Sequence, residues 1–432
     1  MANLGTSWAN SFEAGAAAFQ KDDFDGAARI WSKLANNGHP KAQNELGKLY
    51  ILGKGVPRDH KLGSQWFYLS AKQGNADAQF NIGVSNYNGT GVPKNIKFAI
   101  QWFTLSAKQG YRKAQYTLGK MAYDGVGYPR DYKAALKWLG AAAKQKHVQA
   151  QLLVAEMFQN GKGVKKNPKI AASWFRLAAN QGAPMAQYQL GLIAYHQKNY
   201  PVALEWWKLA AKQGFDRAQH DLGVLYRDGL GVKINNALAA RYFADAAKQG
   251  FATAQYNLGV LYQRGKGLPQ SYQAAVQWYT KAAEQNVALA QNNLAAMYLS
   301  GNGVPKDVGV AVKWLKSAAN SGAPIAQKNL GSLYLNGKVL KQDYQKALKW
   351  ITHASQAGHG EAHVLLGQIY FNGQGVPVDK VRGLMWFEIA SKHGVTKAKS
   401  LLRTIGFVTK NATLVEAKNR AKQCILSKFV DC

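Results

Sequence analysis

A chain of 432 residues that is 47% apolar and only 18% charged has the make-up of a folded protein, and the lack of any Pro/Ser-rich linker or low-complexity tract argues against disorder or loosely tethered domains. Lys and Arg outnumber Asp and Glu by 55 to 23, for a net charge of +32, which attracts polyanions at long range but does not dictate a fold. No run approaches the roughly 18 apolar residues of a membrane span.

Residues 1–41 come first. Met1 to Gln20 has no basic stretch leading into an apolar core, as an export signal would. Trp31 belongs to a degenerate first copy of a repeat that fills most of the chain. That repeat sets Ala-x-x-x-Leu-Gly helix starts at Ala42, Ala78, Ala114, Ala150, Ala186, Ala218, Ala254, Ala290, Ala326 and Ala362, spaced by 36 residues except for 32 between Ala186 and Ala218. Periodicity at this scale means stacked supersecondary units that cannot bury a core singly.

Within a copy, Ala42, Leu46, Gly47 and Tyr50 form one helical stripe, helix A, and Gly47 leaves room for a second helix to cross closely. The loop Gly53-Lys54-Gly55-Val56-Pro57 follows, with glycines open to left-handed angles and a proline that cannot continue the helix. An N-cap residue then opens helix B: Asp59, Asn95, Asp131, Asn167, Asn199, Asn235, Ser271, Asp307, Asp343 or Asp379. Each such cap contributes about 0.5–2 kcal/mol. Seven residues later stands an aromatic column of Trp66, Trp102, Trp138, Trp174, Trp206, Tyr242, Trp278, Trp314, Trp350 and Trp386, expected to be buried. Helix B ends in Ala-Ala-Lys-Gln-Gly, as at Ala71 to Gly74. Lys72, Lys108, Lys144, Lys212 and Lys248 recur in its last turn, where the helix dipole favours a cation. Copy five drops its Gly-x-Gly loop, and copy nine reads Asn336-Gly337-Lys338-Val339-Leu340.

These features predict an all-α, right-handed α/α superhelical solenoid of about eleven helix-turn-helix repeats. Residues 1–41 form a degenerate capping repeat, 42–397 ten repeats in one solenoid, and 398–432 capping helices. The pattern A-x-x-x-L-G-x-x-Y-x-x-G-x-G-V-P-x-D, then W and A-A-K-Q-G, resembles the Sel-one-like repeat family of bacterial type, relatives of tetratricopeptide repeats, over about residues 42–397.

Catalytic constellations are poor. His359-Gly360-Glu361-Ala362-His363 lacks the H-E-x-x-H order and a third ligand. The Gly-x-Gly loops join two helices rather than a strand and a helix, unlike phosphate loops. No Ser/His/Asp or Cys/His set stands out. We therefore expect a non-enzyme without cofactor or metal.

Solenoids bind on the concave surface lined by their A helices, and three positions there point away from the A/B contact. Two residues after the starting alanine come Phe80, Tyr116, Tyr188, His220 and Tyr256. Three after it come Asn81, Asn257, Asn293 and Asn329, and nine after it Tyr87, Tyr123, Tyr195 and Arg227. Lys113 and Arg217, just before their alanines, add anion contacts. Tetratricopeptide relatives hold peptide main chains with equivalent asparagines, so the resemblance implies an Asn ladder beside an aromatic shelf. The competing reading packs the aromatics on neighbouring A helices and leaves the asparagines as solvated polar groups.

The expected function is a scaffold or adaptor holding a peptide or protein in the groove. The alternative is a basic binder of acidic polymers such as nucleic acid, lipopolysaccharide or cell-wall glycan. In one helix, Cys424 and Cys432 would stand about 12 Å apart, too far to bond, whereas a turn between them would close the gap. Their spacing is similar to that of cysteine-rich secreted members of the family, where a bridge crosses an inter-helix turn. That likeness implies a periplasmic or secreted location after signal removal, with reduced, inert cysteines in a cytoplasmic protein as the alternative.

Overall fold

The computed structural model describes residues 2–406, 411–427, 429 and 432, and every regular element among them is an α-helix. Met1 and, within the terminal segment, 407–410, 428, 430 and 431 lie outside the described residues. The chain divides inside one helix into two compact units, Met1–Ala210 and Ala211–Cys432.

The first unit contains α1 (Ala2–Gln20), α2 (Phe24–Asn36), α3 (Pro40–Leu52), α4 (His60–Lys72), α5 (Ala76–Asn88), α6 (Ile96–Lys108), α7 (Arg112–Asp124), α8 (Tyr132–Lys144), α9 (Val148–Asn160), α10 (Pro168–Asn180), α11 (Pro184–His196) and most of α12 (Tyr200–Lys212). The second contains α13 (Asp216–Asp228), α14 (Asn236–Lys248), α15 (Ala252–Arg264), α16 (Tyr272–Glu284), α17 (Ala288–Ser300), α18 (Val308–Asn320), α19 (Pro324–Asn336), α20 (Tyr344–Gln356), α21 (Gly360–Asn372), α22 (Lys380–Lys392), α23 (Thr396–Gly406) and α24 (Asn411–Leu426). Odd and even helices from α1 to α22 pair as A and B, and consecutive pairs stack within each unit as an α/α solenoid.

Each A helix begins two residues before its starting alanine, and all ten alanines are fully buried. The ten N-cap side chains accept from backbone N–H groups of the first turn of helix B, as Asp59 Oδ1 does from Leu62 at 2.9 Å and Asn199 Oδ1 from Val202 at 3.4 Å. Gly47 lies against the opposing helix: a Cβ there would sit 2.7 Å from Phe67 and 3.0 Å from the Gly63 carbonyl. The second loop glycine has a different duty. At Gly91 a Cβ would sit 1.9 Å from the His60 carbonyl, so this glycine lets one copy's loop rest on the preceding helix B.

The aromatic column is not the buried one, which corrects the register expected above. The buried position is one residue later, at Phe67, Phe103, Leu139, Phe175, Trp207, Phe243, Tyr279, Leu315, Ile351 and Phe387. Those side chains meet the glycine, or its alanine substitutes Ala155 and Ala295, of their own A helix. Turned about 100° from them, the column residues are half-buried and reach the preceding core: Trp102 packs on Phe67, Ala71 and Ile82. Trp386 is the exception, covered by Ala421 and Cys424 of α24. Trp31 stands 36 residues before Phe67 and is the knob of the first pair, with Nε1 donating to the Phe12 carbonyl at 3.4 Å.

A buried amide ladder joins the copies. The glutamine after each starting alanine except Ala362 donates Nε2 to the carbonyl eight residues earlier, as Gln43 does to Ala35 at 3.1 Å and Gln255 to Ala247 at 3.2 Å. Its Oε1 accepts from the glutamine that ends the next helix B: Gln73 to Gln43, Gln109 to Gln79 and Gln249 to Gln219, each at 2.8 Å. The Gln of Ala-Ala-Lys-Gln-Gly thus holds the A-helix glutamine of its own copy, whose Nε2 reaches back to the preceding copy. Ser321 and Ala357 stand at that C-cap in α18 and α20, and the buried Gln291 and Gln327 Oε1 atoms are left without a partner.

Leaving a buried acceptor unmet is costly, while a net hydrogen bond is worth about 0.5–1.5 kcal/mol. The double substitution Ser321→Gln and Ala357→Gln is therefore expected to stabilise the chain by about 1–3 kcal/mol, read as a higher urea midpoint. The same glutamine placed at exposed Ser300 should leave the midpoint unchanged.

Candidate functional site

The A-helix face of the first unit is shaped by charge as well as by aromatics. Asp77, at the start of α5, accepts from Lys48 Nζ at 2.7 Å, Asn44 Nδ2 at 2.9 Å and Tyr111 Oη at 2.7 Å, and Lys48 also meets Glu45 at 2.8 Å. Burial alone would raise the Asp77 carboxyl, but the Lys48, Tyr111 and Asn44 donors hold it below the usual carboxylate range. Burial and then the bond to Asp77 push the Tyr111 phenol well up. Asn81 donates to Asn44 Oδ1 at 2.9 Å, so the cluster spans α3, α5 and the N-cap of α7.

Beside it, α3 and α5 enclose a recess of about 390 Å³ lined by Lys48, Ile51, Leu52, Asn81, Val84, Ser85, Asn88 and Thr90, with Phe67 of α4 also in its lining. Apolar walls and amide groups thus face one space.

Of the other residues expected here, most serve the packing. Phe80 rests on Phe103 and Tyr111 at 5.5 and 5.4 Å, and Tyr116 stacks on His147 at 4.4 Å. Tyr188 is only 8% exposed and lies on Trp207. The position two after the starting alanine thus turns toward the knob of its own pair and the next N-cap, and does not point away from the A/B contact. Tyr87 joins the core around Phe103. Tyr123 accepts from Lys162 Nζ at 2.6 Å, and Tyr195 packs on Tyr200 and Trp207. Lys113 is exposed.

In the second unit the asparagines bond to neighbours on adjacent helices. Asn257 Nδ2 lies 3.1 Å from His220 Nε2, and its Oδ1 accepts from Arg227 at 3.2 Å. Asn329 donates to Asn292 at 2.8 Å, and Asn293 donates to the Tyr279 hydroxyl at 3.3 Å. Burial pushes that phenol up to about 12. Tyr256 packs on Tyr279, while Arg217 is exposed. A smaller recess of about 290 Å³ between α19 and α21 contains the 2.9 Å ion pair Lys328–Glu361.

Pattern reading missed Lys48, Asp77, Leu52 and Asn88 because they occupy variable positions. A signal was present: Asp77 and Glu361 are the acids at the position where other copies carry Lys113 or Arg217, and each pairs with a lysine beside a recess.

At the C-terminal end, His363 takes the ladder position held elsewhere by glutamine and His393 its connector. His363 Nδ1 lies 2.8 Å from Ser355 Oγ and Nε2 3.2 Å from His393 Nδ1, and its ring lies on Trp386 and Phe429. Phe429 is carried by the turn after α24, across which Cys424 and Cys432 are bonded with Cα atoms 5.1 Å apart. Among the described residues, no three His, Cys, Asp or Glu side chains converge as metal ligands, and no helix is long and apolar enough to cross a membrane.

The family described as Sel1 repeat matches ten times in succession, at residues 40–75, 76–111, 112–147, 148–182, 184–215, 216–251, 252–287, 288–322, 324–359 and 360–395. The crystal structure of c5321, a protective antigen of uropathogenic Escherichia coli strains with an SLR fold, is similar over 98% of this chain and 93% of its own, at 32% identity and a TM-score of 0.92. A Sel1 repeat protein of Oxalobacter formigenes is also 32% identical over 79% of this chain and 89% of its own, at a TM-score of 0.40. No curated protein matches the chain.

Burial, helped by the His393 and His359 charges, lowers the His363 pKa from 6.5 to about 4. A folded value below the unfolded one means that neutral His363 stabilises the fold above about pH 6.5, and that this contribution is lost as pH falls toward 4. Stability of the C-terminal copies should therefore drop by on the order of 2–3 kcal/mol over that interval. His363→Gln with His393→Gln, which restores the ladder pair of other copies, should flatten the dependence in pH-resolved urea melts.

Proposed function

Because the chain belongs to the Sel1 repeat family, whose solenoids are in general non-catalytic scaffolds for protein interaction, we propose that it holds an extended segment of a partner protein against the A helices of its first unit. The observation that carries this reading is the recess between α3 and α5. Ile51, Leu52 and Val84 offer an apolar socket for one side chain, and the exposed Asn88 amide, beside the Asn81 that Asn44 holds in place, would meet main-chain N–H and C=O groups. The Lys48–Asp77–Tyr111 cluster stiffens the wall, so little ordering cost falls on binding. The asparagines of the second unit bond to side chains of adjacent helices.

Linear peptides selected from a random library on the immobilised chain test the proposal by titration calorimetry. Leu52→Glu and Asn88→Ala, both at exposed positions, should each weaken the selected peptides about tenfold or more, a loss of about 1.4 kcal/mol, while thermal melting is unchanged. Unaltered affinity in both variants, or binding that collapses by orders of magnitude between about 50 and 200 mM salt as polyanion binding does, would reject the groove in favour of charge.

We further propose that the protein works in an oxidising compartment, on the support of the Cys424–Cys432 bridge. Protein isolated from its native source should contain no titratable thiol after denaturation, and reduction should cost the C-terminal cap about 2–3 kcal/mol. Two free thiols in such material would refute the location.

A further inference from the structure

The outer face of the first unit carries a second groove, remote in character from the A-helix recess. Helices α4 and α6 run side by side, with Ile82 and Asn86 of α5 beneath them, and enclose about 750 Å³ of open space. Its walls are Tyr68, Leu69, Phe98 and Leu105, which are 44%, 45%, 54% and 46% exposed, and Trp102 stands edge-on to Tyr68 at 6.1 Å. Large apolar side chains left this open on two adjoining helices mark an interaction surface.

The ten copies supply an internal control. At the register of Leu69 and Leu105, other B helices carry Ala141, Asp245, Lys281, Ser317 and His353. The stacking of helix pairs does not require an apolar residue there. Leu177 and Leu209 share the register, but Arg176 and Lys208 stand where Tyr68 does. Ile389 shares it too but is buried, and α10 and α12 expose Ile170, Leu177, Val202 and Leu209 without an aromatic at the Tyr68 position; the aromatic-walled trough is that of α4 and α6.

Charge selects the occupant. Neither α4 nor α6 contains an Asp or Glu, and both carry lysine at the second and last positions: Lys61 and Lys72, Lys97 and Lys108. Helical spacing puts these on the groove face, Lys61 four before Gln65, Lys97 four before Gln101, Lys108 three after Leu105, and Lys72 Nζ lies 5.5 Å from the Tyr68 ring. Two helices of 13 residues make a trough about 20 Å long, apolar along its middle and cationic at all four corners. A flat lipid surface would leave its recessed floor unfilled, and a second copy of this +32 chain would bring like charge.

We propose that the groove between α4 and α6 docks an acidic amphipathic helix of a partner protein, its apolar stripe on Tyr68, Leu69, Phe98 and Leu105 and its carboxylates toward the four lysines. Anchors at i, i+3, i+4 and i+7 fit such a trough, and the lysines favour the acidic partner mainly through on-rate and orientation. This site is independent of the A-helix recess.

The probe is a fluorescein-labelled, end-capped 14-residue peptide with leucines at helical spacing and glutamates elsewhere, read by fluorescence anisotropy on the full chain. Saturable binding is expected, at least tenfold tighter than that of an isomer with the same leucines scattered, and a lysine-for-glutamate version should not bind. Phe98→Asp with Leu105→Asp should weaken the peptide at least tenfold without altering the melting curve. Lys72→Gln with Lys108→Gln should weaken it severalfold and flatten its salt dependence. Leu52→Glu, on the other face, should leave it untouched, which separates this site from the proposed function. Equal binding of the scattered isomer, or unchanged binding by the Asp variant, overturns the proposal. So does a variant that loses adsorption to phosphatidylcholine–phosphatidylglycerol vesicles while peptide binding stays the same.

Discussion

The structure depends on how closely the two helices of a pair approach. Where Gly47 faces Phe67, a single added carbon would fall inside van der Waals contact, and the same relation recurs at Gly83 with Phe103 and Gly259 with Tyr279. That approach lets a 13-residue helix, too short to be stable alone in water, bury a complete stripe of side chains. The fully buried alanines on the A helices extend the same economy of volume to the stacking of one pair on the next.

Once the pairs are fixed, the contacts between copies follow. Column tryptophans of helix B such as Trp102 cover the preceding core, the second loop glycine seats its loop on the preceding helix, and the buried A-helix glutamines bond to carbonyls of the preceding copy. Amides serve well in this place because each has both a donor and an acceptor to hand on, and a buried polar group is tolerated only when satisfied. The His363–His393 pair does the same work at the end of the array, and the lowered pKa of His363 makes that end sensitive to acid.

What remains for recognition is the set of positions that this scaffold leaves unspecified. On the A side these hold the Lys48–Asp77–Tyr111 cluster and the recess beside it, and on the B side the apolar trough of α4 and α6. The two differ in kind: one combines amides with a small socket, the other a long apolar floor with cationic corners. The large positive charge is spread over many lysines that end helix B, where the helix dipole accommodates them, and it becomes a recognition feature where apolar side chains are grouped with it.

Much of this was legible in the residues themselves. The period, the pairing of helices, the ten caps and the close crossing at Gly47 all follow from local rules of backbone conformation and helical spacing, which act within a few residues and repeat ten times. Tertiary structure decided the rest. Neighbours along one helix differ by about 100° in direction, so whether Trp66 or Phe67 is the knob depends on the angle at which the partner helix crosses, and Tyr188 lies in the core for the same reason. The partners of Asp77, the ladder role of Gln43 and the trough between α4 and α6 involve residues about 30 apart in sequence. No local pattern encodes such meetings, because they depend on how one copy is set against the next.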